Sequence, residues 1–151
     1  MATVTASRAA STQPVAQPTG AGLMSVYYGS YDFATNPAAS DIVQFFKVPA
    51  GFVALGGHLR IEDIDSNATE TFDIDIGDTG DTDRLGNFGV RAGDAVVDYL
   101  PEGGTLLPLH GTLKDGPVTY ASETMIQGTV VATCATFAAG TATLVVWGVN
   151  P

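Results

Sequence analysis

Cysteine, tryptophan and positive charge are all scarce in this 151-residue chain: one Cys, one Trp and only 6 Lys+Arg. Cys134 has no second cysteine to pair with, so the fold is not a disulfide scaffold. It sits in Val130-Val131-Ala132-Thr133-Cys134-Ala135, where a free cysteine acts as a small buried hydrophobe. Against the 6 basic residues stand 16 Asp+Glu, for a net charge of −10. A phosphate backbone would be repelled, which argues against a nucleic-acid partner. No apolar run approaches the roughly 20 residues of a membrane span. The Ala, Ser, Thr, Gln and Pro that follow Arg8 form no apolar h-region, so no secretory signal is expected. The Asn67-Ala68-Thr69 sequon then carries little meaning. Helix-length periodicity and internal repeats are missing too.

What is present is alternation. Phe72, Ile74 and Ile76 fall on one side of an extended chain, and Thr71, Asp73 and Asp75 on the other. This predicts a half-buried strand with an acidic outer face. Val26, Tyr28 and Ser30 alternate with Tyr27, Gly29 and Tyr31 in the same way. Further strands are expected over 41–48, 52–64, 95–100, 105–109, 118–122, 124–133 and 142–149. Within 52–64, Leu59 and Ile61 face in, His58, Arg60 and Glu62 face out, and Gly56-Gly57 marks a bulge or bend. Pro108 places its strand near an edge. Residues 78–93 read as a Gly/Asp loop with at most one helical turn.

With 45% hydrophobic and 15% charged residues, the chain can bury a core and is not disordered as a whole. Eight to ten short strands with Gly/Pro-rich connections predict an all-β fold, a jelly-roll-like β-sandwich. A single domain is expected over 23–151. Residues 1–22 differ in composition and read as a flexible or extended arm, with Pro14 and Pro18 blocking regular structure. Val4, Val15, Leu23 and Met24 supply apolar anchors for docking on a neighbour. Leu144-Val145-Val146-Trp147 is apolar on both faces, so it is either a central strand or one whose Val145, Trp147 and Val149 meet another subunit.

Sites of chemistry are scarce. Asp78-Thr79-Gly80 matches the aspartic-protease tripeptide, but Ile76-Gly77 before it and Asp81 after it do not suit two carboxylates sharing one proton; a solvated acidic turn is the expectation. Asp78, Asp81 and Asp83 are weak Ca²⁺ candidates, in an order unlike an EF-hand. His58 and His110 have no partner at metal spacing, and Gly86-Asn87-Phe88-Gly89 lacks the Lys-Ser/Thr of a P-loop. No catalytic residue, cofactor or metal is expected.

Several segments resemble small structural proteins from the head gene clusters of tailed bacteriophages. They are Tyr31-Asp32-Phe33-Ala34-Thr35-Asn36-Pro37-Ala38-Ala39-Ser40-Asp41, Val48-Pro49-Ala50-Gly51, Gly56-Gly57-His58, Phe72-Asp73-Ile74-Asp75-Ile76-Gly77, Gly86-Asn87-Phe88-Gly89 and Pro101-Glu102-Gly103-Gly104. The resemblance implies a non-enzymatic virion component, of the capsid decoration or cement type. It implies a homotrimer on the outer capsid surface whose arm clasps the major capsid protein. A head fibre or tail component fits the same resemblance, and an extracellular carbohydrate-binding jelly-roll module is the alternative from another class.

Overall fold

The computed structural model describes residues 3–5, 24–89 and 105–150. In chain order the strands are β1 (Thr3–Thr5), β2 (Met24–Phe33), β3 (Ile42–Val48), β4 (Val53–Ile61), β5 (Asp73–Gly77), β6 (Gly86–Gly89), β7 (Thr105–Pro108), β8 (Val118–Thr119), β9 (Thr124–Ala132) and β10 (Gly140–Val149). A five-residue 3₁₀ helix, Gly111–Asp115, lies between β7 and β8. The expected strand over 95–100 lies outside the described residues.

The strands form two sheets. The first runs β1-β3-β9-β5-β6; the second runs β2-β10-β4-β7, with β8 also pairing β4. Every pairing is antiparallel except β1 on β3. Setting β1 and the two-residue β8 aside, the second sheet takes the first, eighth, third and sixth strands of the chain. The first sheet takes the second, seventh, fourth and fifth. That interleaving is the jelly roll, two sheets linked by strands that cross from one to the other.

The core lies between the sheets and is rich in aromatics. Tyr27 and Phe33 enter from β2, Phe45 and Phe46 from β3, and Ile74 and Ile76 from β5; Leu144 and Val146 enter from β10. Two bulges shape this packing. Gln44 pairs with Gln127 while Phe46 pairs with Ile126, so Phe45 is an extra residue and two successive phenylalanines point inward. On β4, Trp147 pairs with Gly56 but Gly148 with Ala54. Leu55 is the extra residue there, beside the predicted Gly56-Gly57.

Two expectations need correction. The outer face of the Phe72 strand is not solvated: Asp73 and Asp75 are 2% and 8% exposed. Alternation assigns a side chain to a face but does not reveal whether that face meets water. The Gly86-Asn87-Phe88-Gly89 stretch is not loop but β6, pairing β5; its two glycines, both at positive φ, hide it from a propensity reading. A 3₁₀ turn that the sequence did not announce lies at 111–115.

Candidate interaction surface

The outer face of the second sheet is built by β2, β10 and β4. Alternation along β2 buries Tyr27, Gly29 and Phe33 and turns Met24, Val26, Tyr28 and Ser30 outward. In β10, Leu144 and Val146 are buried while Val145, Trp147 and Val149 stay partly exposed. The register aligns these residues in adjacent rungs: Val149 opposite Met24, Trp147 opposite Val26, Val145 opposite Tyr28. Across β10 the same residues face Val53, Gly56 and His58. Met24 is 67% exposed, Val26 57% and Tyr28 49%.

Trp147 lies flat on this face because Gly56 leaves room for it. A Cβ at Gly56 would come within 2.8 Å of the indole Nε1. The indole also sits 5.9 Å from the His58 ring. None of these rungs carries an Asp, Glu, Lys or Arg. The next rung, Ser30–Thr143–Arg60, is polar, with the two hydroxyls 2.9 Å apart. One further on, the Thr141 hydroxyl donates to Asp32 Oδ1 at 2.8 Å. The face thus grades from apolar to polar along the strands. The three interface candidates therefore occupy the outer side of a central strand whose other side is core, so the central-strand reading of β10 holds.

The acidic loop has a different character from the one expected. Asp78 is 5% exposed, not solvated. Its Oδ1 accepts the amides of Gly80 at 2.8 Å and Asp81 at 3.1 Å, and its Oδ2 accepts Arg84 Nε at 2.6 Å. This is an Asx-type turn locked by an ion pair. Asp81 lies 3.8 Å from Arg84 Nη1. Its carboxyl is raised above the ordinary Asp value, first by the hydrogen bond with Asp83 and then by burial, with Arg84 opposing. Asp78 is thus committed to Arg84 and the turn. Among the described residues no group of three or more His, Cys, Asp or Glu is arranged to hold a metal.

A polar cleft of about 330 Å³ opens between β6 and the 3₁₀ helix, lined by Asp83, Asn87, His110, Thr112, Lys114 and Asp115. His110 Nε2 is 3.3 Å from Asn87 Oδ1, and its ring packs edge-on against Phe88 at 5.0 Å. Among the described residues that line the cleft, only Thr112 carries a hydroxyl and none carries a thiol.

The sequence did not single out Asp65. Asp65, 3% exposed, accepts the amides of Thr71, Phe72 and Ala135 on Oδ2 at 2.8, 3.2 and 3.0 Å. The Thr136 amide donates to its Oδ1 at 2.9 Å. Nothing marks one aspartate among many as special when its partners are backbone amides up to 71 residues away. Of the arm candidates, Val4 lies in β1 opposite Val43, and Met24 opens β2. Pro14, Val15, Pro18 and Leu23 lie outside the described residues.

The comparisons with known proteins bear on this architecture. No protein-family model matches the chain, and no curated protein matches it. Solved structures do. This fold occurs in phage capsids. A chain of the cyanophage Pam1 capsid asymmetric unit is 24% identical, with a TM-score of 0.69, over 96% of this chain and 99% of that one. A chain of the capsid of Ralstonia phage GP4 is 20% identical, with a TM-score of 0.72, over 99% of both. A chain of the acidic stable capsid of Helicobacter pylori bacteriophage KHP30 is 13% identical, with a TM-score of 0.51, over 85% of this chain and 95% of that one. The first two likenesses extend over nearly the whole of both chains.

Proposed function

We propose that this chain is a non-enzymatic virion structural protein that decorates the outside of a phage capsid lattice as a homotrimer, with the major capsid protein as partner. The observation that carries the reading is the likeness over 99% of both chains to a protein within the capsid of Ralstonia phage GP4. The acidic body, net −10, would stay soluble when densely arrayed. The mechanism is linkage: a protein that binds the expanded lattice better than other states stabilises that state by mass action. Several weak contacts from one oligomer add as avidity. Residues 1–22 serve as the arm in this reading, with Val4 and Val15 as anchors and Leu23 and Met24 where it joins the body.

The test is to image purified particles assembled with and without this protein. Extra density on the outer lattice is expected. Density confined to a fibre or the tail would move the protein elsewhere in the virion, and no density would end the virion reading. A second reading, a carbohydrate-binding jelly-roll module, draws on Tyr28 and Trp147 displayed on one open sheet face. Retardation on a panel of polysaccharides would favour it.

A further inference from the structure

We infer that the uncharged end of the outer face of the second sheet, around Met24, Val26, Tyr28, Val145, Trp147 and Val149, is where copies of this chain meet each other. The inference deepens the decoration reading and takes from it the expectation of several copies, but the contact itself needs no capsid.

The face is contiguous. Met24, Val26 and Tyr28 on β2 lie rung by rung beside Val149, Trp147 and Val145 on β10. Single exposed apolar residues are ordinary, whereas adjacent ones forming a patch mark an interaction site. Nothing inside the sandwich requires these residues. The core side of β10 is already filled by Ala142, Leu144 and Val146, and both edges of β10 are hydrogen-bonded, to β2 and to β4. Gly56 keeps the indole flat against the sheet, which leaves a surface that another sheet can approach at the usual spacing of about 10 Å.

Charge selects the occupant. Each copy carries −10, so two copies repel wherever their carboxylates face one another. They can meet at low cost only where charge is missing, and these rungs hold none. A partner chosen for complementarity to an acidic protein would instead be basic and would seek the carboxylates. A neutral, aromatic-bearing face therefore suits a second copy, and three such faces can converge on a common axis in a closed ring.

The test uses the full chain in solution. Sedimentation over a range of concentrations is measured for wild type, Val26→Glu, Met24→Glu and the control Ala121→Glu, which adds the same charge at an exposed site on the β8–β9 turn. Positions 24 and 26 are open to solvent, so circular dichroism of the variants should match wild type. The wild type and Ala121→Glu should form the same oligomer. Val26→Glu and Met24→Glu should weaken it by about a hundredfold or more, since like charges brought together cost several kcal/mol. A monomeric wild type overturns the inference, as does a Val26→Glu oligomer as tight as wild type. If the wild type is monomeric and Val26→Glu lowers binding to emptied capsids, the face belongs to the shell and the inference is wrong. If self-association is lost in Val26→Glu but the wild type never binds capsids, the inference stands and the decoration reading falls.

Discussion

Asp65 joins two loops through one carboxylate. Its four amide donors come from residues 71, 72, 135 and 136, so it ties the approach to β5 to the turn after β9. Removing it strands buried donors, each costing about 1–3 kcal/mol. Asp65→Ala should therefore destabilise the domain by roughly 3 kcal/mol or more in a denaturant titration. The pH dependence has a definite sign. Burial alone would raise the Asp65 carboxyl, but the amides outweigh it and hold it below the ordinary Asp value. A depressed carboxyl contributes stability that is present above the unfolded value of about 3.9 and is lost as pH falls through the lower folded value. The stability gap between wild type and Asp65→Asn should thus be largest near neutrality and should shrink below about pH 4. A gap that is constant from pH 7 to pH 2 would contradict this role. Cys134 makes a second test at this scale. It is 4% exposed, and burial first, then the nearby Asp65 charge, pushes its thiol up to about 12. With so little thiolate, iodoacetamide at pH 8 should label it only after unfolding. Rapid labelling of the folded protein would show an open site.

Among the strands, a close approach decides more than propensity. Gly29 lies on the inward face of β2 between Tyr27 and Tyr31, and a Cβ there would overlap the Phe45 carbonyl of β3. The glycine lets strands of opposite sheets close one end of the sandwich. Gly29→Ala should cost about 1–3 kcal/mol through overpacking, whereas Ser30→Ala, on the exposed side, should change little beyond one surface hydroxyl contact. Thermal melts of both would check the asymmetry. Strands with a long alternating pattern, β2, β4 and β10, could be read from sequence because burial follows the period of two. The outward residues of β10 were legible for the same reason, as an apolar excess that the core could not absorb. Their neighbours Met24, Val26 and Tyr28 were not grouped with them, since register between strands over a hundred residues apart is a tertiary fact. Asp73, Asp75 and Asp78 misled because each carboxylate in an acidic chain reads as solvated, while burial and pairing depend on long-range placement. The pairing of Asp78 with Arg84 spans only six residues and left a local trace in Asp78-Thr79-Gly80-Asp81-Thr82-Asp83-Arg84, a basic residue closing an acidic turn.

Across the whole molecule, the body and the arm can be separated by experiment. The jelly roll from β2 to β10 contains the buried cluster of the described residues, and β1 adds three residues in parallel to the edge of β3. Deleting residues 1–22 removes only that short ladder from the described structure, so the body should keep its β-type circular dichroism and melt within a few degrees of wild type. Met24, Val26 and Tyr28 survive the deletion, so the oligomer built on the second sheet should survive with them. Capsid binding should behave differently. If the arm holds the shell through Val4 and Val15, its ordering on the lattice is driven by apolar anchors along an extended, proline-restrained chain. Losing it should weaken affinity for emptied capsids by roughly tenfold or more, since one such anchored segment is easily worth 1.4 kcal/mol. Particles decorated with the truncated protein should also break at lower temperature than those carrying the full chain. Equal affinity and equal particle stability would show that the arm contributes nothing to the shell contact. The lattice would then have to be held by the body, and the polar end of the second sheet around Ser30, Arg60 and Asp32 would be the first surface to mutate.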